Sequence, residues 1–118
     1  MKWTVVCPYL RLEPERGVAA LVGGVQVALF RTSEGGLYAI GNLDPFSGAA
    51  VLSRGIVGSR GDTPVVASPM HKQAFDLTTG ECLDDPGVRV PVYAVRVTDG
   101  LVEIADVVEI ADLVGEST

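Results

Sequence analysis

Three polar residues, Asp44, Ser68 and His71, are of the types that together catalyse acyl transfer. In such a site the serine is the nucleophile, the histidine is the base, and the carboxylate orients the histidine. The surroundings of Ser68 do not favour this chemistry, because there is no G-x-S-x-G turn and Pro69 lacks the backbone N–H that would stabilise an oxyanion. A hydrolase is therefore an alternative interpretation of these residues and not the preferred one.

A mononuclear metal site on Asp44 and His71 is a second alternative. The chain contains a single histidine, and zinc in proteins normally takes three or four protein ligands. The glycine-rich segment 55–61 lacks the G-K-[ST] ending of a phosphate-binding loop and precedes a predicted strand instead of a helix. We expect its glycines to shape a loop, so neither feature predicts a metal or nucleotide site.

Two segments of the sequence resemble the cluster-binding loops of Rieske [2Fe–2S] domains. Residues 68–86 read S-P-M-H-K-Q-A-F-D-L-T-T-G-E-C-L-D-D-P, and the second loop of such domains has C-P-x-H, an aromatic and an acidic residue, T-G-x-C-L and a proline. Residues 44–49 read D-P-F-S-G-A and are similar to the first loop, C-P-H-x-G-A. The residues at the four ligand positions of the family are Asp44, Phe46, Ser68 and His71.

A Rieske cluster requires two cysteines on one iron and two histidines on the other. Only His71 keeps its ligand type, and carboxylate, phenyl and hydroxyl groups do not replace thiolates and imidazole around a sulfide-bridged iron pair. The resemblance therefore implies the fold without the cluster. If the loops pack as in Rieske domains, we expect Asp44, Ser68 and His71 to hydrogen-bond one another and, with Phe46, to fill the volume of the cluster. We call these four residues the polar plug.

The resemblance extends over about residues 3–104 and narrows to one family. The runs 43–49, 51–57 and 64–70 are similar to the small subunit of assimilatory NAD(P)H-dependent nitrite reductase, a Rieske-type family that lacks the cluster ligands. This family implies an accessory chain with no catalytic residues and no cofactor. Its partner would be the large subunit, which carries siroheme, an iron–sulfur cluster, FAD and the NAD(P)H site and reduces nitrite to ammonium in nitrate assimilation. Two alternatives remain open: a Rieske-type ferredoxin-like electron carrier, and a free-standing cluster-less binding module.

Contact with the large subunit is expected through the projecting loops, whose apolar and aromatic side chains are suitable anchors. The candidate partner-contact residues are Pro45, Phe46, Leu52, Ile56, Val57 and Met70. Arg54, Arg60 and Lys72 allow two interpretations. They form a basic spot near the loop tips, or they are scattered charges that water solvates separately.

The composition is that of one globular domain. The chain has 118 residues, of which 47% are hydrophobic and 20% charged, and this length supports a single core. A net charge of −6 opposes binding to nucleic acid, which depends on concentrated Lys and Arg. The longest apolar stretch, residues 18–30, is interrupted by Gly23 and Gly24 and is too short to span a membrane.

The start of the sequence shows no signal-peptide pattern, so a cytoplasmic protein is expected. In that compartment Cys7 and Cys82 are expected to be packed free thiols, with a disulfide between them as the minor alternative.

The elements that would position the two loops are short strands separated by glycine-rich turns. Gly23-Gly24 and Asp99-Gly100 predict tight hairpins, and a long loop is predicted over Gly41–Thr63. The predicted strands are Trp3–Tyr9, Val18–Leu21, Val25–Phe30, Leu37–Ile40, Val65–Ala67, Ala74–Leu77, Val88–Val97 and Leu101–Ile104.

The predicted fold class is all-β: a Rieske-like antiparallel β-sandwich or barrel with a small loop-rich subdomain. Residues 1–106 are expected to form a single domain and residues 107–118 a C-terminal tail. The apolar spacing of Val107, Ile110, Ala111 and Val114 in the tail suits a short amphipathic helix, and a frayed terminus is the alternative.

Overall fold

The computed structural model describes residues 2–108, which form an all-β domain. Two short 3-10 turns, Tyr9–Arg11 and Leu52–Arg54, accompany the strands. The strands in this part of the chain are β1 (Trp3–Pro8), β2 (Gly17–Val22), β3 (Val25–Arg31), β4 (Leu37–Gly41), β5 (Ile56–Arg60), β6 (Thr63–Ala67), β7 (Ala74–Asp76), β8 (Val92–Thr98) and β9 (Leu101–Val108).

One antiparallel sheet contains the strands in the order β1-β9-β8-β4-β3-β2. Its two tight hairpins lie at the predicted places. Gly23 and Gly24 connect β2 to β3 with φ of 56° and 82°, and Asp99 and Gly100 connect β8 to β9 with φ of 53° and 78°. Positive φ at both central residues gives the turn a twist that matches the paired strands. The dipeptide signals thus predicted both turns correctly.

Strand β3, which lies between β2 and β4, carries a continuous run of buried residues, Val27 to Phe30, because both of its faces are covered. Ala28 and Phe30 belong to one hydrophobic cluster, whereas Val27 and Leu29 belong to a second cluster. Successive side chains of a strand point to opposite faces, so the two clusters lie on opposite sides of this sheet.

Strands β5, β6 and β7 form a separate antiparallel sheet. Val57, Val66 and Phe75 lie opposite one another across it, and all three are buried. They pack in the same cluster as Ala28 and Phe30 of the large sheet. The small sheet is therefore joined to the large one by a shared core.

The structure differs from the sequence prediction in the segment 41–63. Instead of one loop it contains the 3-10 turn and strand β5, which pairs with β6 along its whole length. The sequence did not predict this strand, because Gly58, Ser59 and Arg60 are exposed and show no alternation of apolar and polar residues. The strand is defined by its hydrogen bonds to β6 and not by its composition. Strand β8 likewise begins at Val92, after Pro91, and not at Val88.

The predicted tail is described only at its start. Strand β9 continues to Val108, so Val107 lies in a strand and not in the predicted helix. The rest of that predicted helix lies outside the described residues.

Both cysteines are free, Cys82 in the core and Cys7 half-buried. Burial raises the pKa of the Cys7 thiol, and the nearby Arg11 guanidinium offsets only part of this effect. Within residues 2–108 no helix has the length and apolar character needed to cross a bilayer.

Candidate functional site

The two loops that resemble Rieske cluster loops lie side by side at one end of the molecule. The first loop, residues 44–49, follows β4, and the second loop, residues 68–73, connects β6 to β7. A backbone hydrogen bond between its end residues closes each loop, at 2.8 Å in the first and 2.9 Å in the second. The sequence therefore folds locally into two compact turns, and their first residues, Asp44 and Ser68, face each other.

A buried carboxylate–hydroxyl pair joins the loops. Asp44 is 0% exposed and Ser68 is 2% exposed, and the Ser68 hydroxyl donates a hydrogen bond to Asp44 Oδ2 at 2.5 Å. Asp44 Oδ1 accepts a hydrogen bond from the Phe46 N–H at 2.9 Å. Ser68 Oγ in turn accepts one from the Met70 N–H at 3.2 Å. Both carboxylate oxygens are thus satisfied, as a buried charge requires.

The carboxyl of Asp44 remains ionised despite its burial. Burial alone raises its pKa, but hydrogen bonds from the Ser68 hydroxyl, the Phe46 N–H and Ser47 outweigh that effect. The pKa of Asp44 therefore lies below the usual aspartate value. A charged acceptor makes the link between the loops stronger than a neutral hydrogen bond would be.

His71 does not take part in this pair. Its side chain is exposed, while the Ser68 hydroxyl donates directly to the Asp44 carboxylate. A Ser–His–Asp relay, in which the histidine would lie between the other two, is therefore not formed. The prediction of the polar plug was therefore wrong for His71. The plug consists of Asp44, Ser68 and Phe46.

Phe46 lies half-buried between the first loop and the core. Its ring centroid is 6.2 Å from that of Phe75, with 49° between the ring planes, and it packs against the cluster shared by the two sheets. Tilted aromatic pairs at this distance stabilise a fold beyond the area that they bury. The ring thus anchors the first loop to the small sheet.

The four ligand positions do not fit a [2Fe–2S] cluster. The Asp44 and Ser68 oxygens are bonded to each other, the Phe46 ring packs against the core, and only His71 offers a nitrogen donor. A Rieske centre takes two thiolates and two imidazoles. Among residues 2–108 there is also no group of three or more His, Cys, Asp or Glu arranged to hold a metal ion.

Five of the six candidate partner-contact residues fall into two groups, and the sixth, Phe46, is half-buried. Ile56 and Met70 are 76% and 53% exposed, and Pro45 is exposed as well. Leu52 and Val57, at 0% and 9%, are part of the core. The prediction was wrong for these two, because the 3-10 turn and β5 direct their side chains inward.

Asn42 is a structural member of the site that the sequence analysis did not identify. It is 1% exposed, its Oδ1 accepts a hydrogen bond from the Ser53 N–H at 2.7 Å, and its Nδ2 donates to Gln26 Oε1 at 3.1 Å. It thereby connects the base of the first loop to the 3-10 turn and to β3. An asparagine directly after a strand and before an aspartate-proline turn was the available signal.

Comparison with known proteins places these features in a family. The model of the Rieske-like [2Fe–2S] domain family matches residues 2–105. A nitrite reductase (NADH) small subunit from Escherichia coli is 41% identical over 104 residues, which are 87% of this chain and 96% of that protein. The crystal structure of an NADH-dependent nitrite reductase small subunit from Mycobacterium tuberculosis is 57% identical, with a TM-score of 0.87 over 90% of this chain and 96% of that one.

Two further similarities are to a nitrite reductase large subunit and to a ferredoxin. A nitrite reductase [NAD(P)H] large subunit from Klebsiella oxytoca contains a segment that is 36% identical over 104 residues, covering 88% of this chain but 11% of that protein. The ferredoxin of carbazole 1,9a-dioxygenase from Nocardioides aromaticivorans is 26% identical, with a TM-score of 0.77 over 91% of this chain and 100% of that one. The same fold thus occurs in separate small subunits, within a large subunit and in a ferredoxin.

Proposed function

This chain belongs to the Rieske-like family of nitrite reductase (NADH) small subunits, and from this premise we propose that it is the non-catalytic small subunit of an NAD(P)H-dependent nitrite reductase. The observation that carries the proposal is the Klebsiella oxytoca large subunit, which contains a segment homologous to this domain. A domain that is a separate small subunit in some species and part of the large subunit in another is expected to work in contact with that large subunit.

The division of labour in the proposed complex follows from chemistry. Reduction of nitrite to ammonium requires several electrons and hence redox centres, and the residues at the four ligand positions of this chain do not suit a cluster. Siroheme, the iron–sulfur cluster, FAD and the NAD(P)H site are therefore assigned to the large subunit. In this proposal the chain carries no cofactor, contributes no catalytic residue, and supports the large subunit in the cytoplasm during nitrate assimilation.

The docking surface is proposed at the two loops. Three exposed apolar side chains lie there: Pro45 in the first loop, Met70 in the second, and Ile56 opposite Ala67 just before the second loop. Apolar side chains at the centre of an interface supply most of its binding energy. Loops fixed by a rigid scaffold are also where binding residues commonly lie.

Replacement of Met70 by aspartate tests this surface. Met70 is 53% exposed, so Met70→Asp is expected to leave the domain folded and to weaken association with the large subunit by about tenfold or more, as loss of a central anchor does. The measurement is co-purification of the tagged chain with the large subunit of the same organism, followed by titration. Leu10→Asp, at a residue that is 88% exposed on the other 3-10 turn, is the matched control. Equal recovery of the large subunit with both variants would contradict the proposed surface.

A charge at Phe46 is a less informative test, because the ring packs against Phe75. Phe46→Asp is expected to lower the stability of the domain as well as the affinity for the large subunit.

An electron-carrier role is the second candidate, and the likeness to a ferredoxin of the same fold favours it. Iron and acid-labile sulfide analysis of the chain purified from its native host separates the two candidates. The proposed function predicts neither element in stoichiometric amount, and their presence would support the carrier. A pull-down that recovers no large subunit would instead favour a free-standing binding module.

A further inference from the structure

The 3-10 turn and the second loop present their exposed residues on one surface, which we call the tip face and define as residues 54–56 and 68–72. Ile56 pairs with Ala67 across the small sheet. A Cβ on Gly55 would collide with the Ala67 carbonyl oxygen, so Arg54 and Ile56 lie beside the start of the second loop. The Lys72 N–H donates to the Ser68 carbonyl at 2.9 Å, which folds the loop back on itself.

The tip face carries two cationic side chains for which residues 2–108 supply no ion pair, although the Asp84 carboxylate accepts a hydrogen bond from the Ala74 N–H just after the second loop, at 2.8 Å. Arg54, His71 and Lys72 are exposed, and within residues 2–108 neither Arg54 nor Lys72 forms an ion pair. Arg60, the third residue of the basic spot that was weighed against scattered charges, pairs with Asp84 at 3.1 Å. Arg54 and Lys72 thus place two cations without an ion pair among residues 2–108 beside exposed apolar residues, on a chain whose net charge is −6.

The backbone of Lys72 adds a second observation. Its φ is +65°, in the left-handed region where a side chain is disfavoured and glycine or asparagine is accommodated at lower cost. Sparsely populated conformations of this kind cluster at functional sites. Glu15 and Asp99 lie in the same region, so the proposed role of Lys72 rests on its charge and on its place in the second loop.

We infer that the surface of the partner that binds the tip face is apolar at its centre and acidic around it. Ile56 and Met70 fill the apolar centre, and Arg54 and Lys72 approach carboxylates at the rim. This inference rests on the proposed function, since the partner is taken to be the large subunit. Charges at the rim of an interface mainly set the association rate and its salt dependence, whereas the apolar centre mainly sets the dissociation rate.

The test uses a double variant that removes both charges with little effect on the fold. Arg54→Gln is at an exposed site, and asparagine at position 72 tolerates the left-handed conformation better than lysine. Association and dissociation rates of the large subunit are measured for wild type and for R54Q/K72N over a range of ionic strength. At low ionic strength the double variant is expected to associate about tenfold more slowly and to dissociate at a rate within about twofold of wild type. Near 1 M salt, where the screening length is about 3 Å, the association rates should converge.

Arg11→Gln is the control for charge removed elsewhere, and it is matched to the single variant Arg54→Gln because each removes one positive charge. Arg11 is exposed on the 3-10 turn next to β1, and the adjacent Tyr9 N–H bonds the Gly100 carbonyl at 2.9 Å. Gly100 follows the end of β8, whereas Pro91 precedes its start, and the Pro91 carbonyl accepts a hydrogen bond from the Gly41 N–H at the base of the first loop. The turn that carries Arg11 and the first loop therefore lie at opposite ends of β8. Rates for this control should equal those of wild type, and a loss as large as that of the double variant would overturn the inference by showing that net charge alone matters.

Three other outcomes are decisive. If wild type binds the large subunit and R54Q/K72N binds with the same rates and the same salt dependence, the inference is wrong while the proposed function survives. If wild type does not bind at all, the proposed function itself fails. A second copy of this chain is the alternative partner, because Glu15, Glu34 and Asp62 line a groove of about 460 Å³ whose carboxylates could bind the cations of the tip face. Sedimentation of the chain alone measures whether it self-associates. Self-association that R54Q/K72N abolishes would overturn the assignment of the tip face to the large subunit.

Discussion

Asp44 is a fully buried carboxylate, and such a group is tolerated only when its oxygens accept hydrogen bonds. The Ser68 hydroxyl and the Phe46 N–H supply these bonds, and in doing so they fasten the two loops together. Two positions where Rieske domains hold metal ligands thus form a direct link between protein groups. The charge of Asp44 contributes to this link, which makes it sensitive to pH.

Asp44→Asn measures the contribution of that charge. The folded-state pKa of Asp44 is lowered from the ordinary value of 3.8, so the stabilisation is fully present above that value and is lost as the pH falls through the folded-state pKa. At neutral pH the variant is expected to be about 1.5–3 kcal/mol less stable than wild type, the range for hydrogen bonds to charged groups. In urea unfolding the difference should shrink when the pH is lowered below 3.8.

Asp85→Asn removes the same charge at an exposed position and is the control for net charge. A constant difference between wild type and D44N at neutral and acidic pH would show that the ionised form of Asp44 does not stabilise the loops.

At the level of secondary structure, a close backbone approach positions the 3-10 turn and hence the tip face. Gly55 follows that turn with φ of −72°, an ordinary conformation, so its lack of a side chain and not its flexibility is what matters. A Cβ there would collide with the Ala67 carbonyl oxygen and with the Val66 side chain. Only glycine lets the turn lie directly on β6.

Gly55→Ala is expected to destabilise the domain by about 1–3 kcal/mol, the usual cost of overpacking. Gly58→Ala is the matched control, because Gly58 lies in β5 and a Cβ there would meet nothing within 4 Å. That variant should stay within about 0.5 kcal/mol of wild type. The free energies of unfolding come from urea titration, and equal values for the two variants would contradict the close approach.

For the whole molecule, the shared core predicts that both sheets unfold together. Phe75 is 0% exposed in the small sheet, whereas Trp3, the one tryptophan of the chain, lies in β1 of the large sheet with the Arg96 guanidinium 3.9 Å above its ring. Phe75→Ala is expected to cost about 3–5 kcal/mol. Trp3 fluorescence should report that loss although the substitution is in the other sheet.

The measurement compares the urea midpoint from Trp3 fluorescence with that from far-UV circular dichroism. Both midpoints should fall together in F75A and stay unchanged in Leu21→Ala, a truncation at a residue that is 68% exposed. Separate midpoints in wild type or in F75A would mean that the small sheet unfolds on its own.

The sequence by itself determined the features that depend on local chemistry. Gly23-Gly24 and Asp99-Gly100 predicted their hairpins because a two-residue turn requires positive φ. The residue types at 44, 46 and 68 are the basis of the prediction that the chain holds no Rieske cluster, since ligand chemistry is a property of the side chain. The family resemblance extended these local signals to the all-β fold.

Only the tertiary structure decided which side chains face the core and which face a partner. Leu52 and Val57 are buried while Ile56, between them in sequence, is exposed. The 3-10 turn directs Leu52 into the core, and the pairing of β5 with β6 places Val57 and Ile56 on opposite faces of the small sheet. The charge of Arg60 is paired with that of Asp84, which is distant in sequence, so Arg60 does not contribute to the predicted basic spot. The direction of a side chain and its charge partner depend on contacts between remote segments, and such contacts are set by packing of the whole chain.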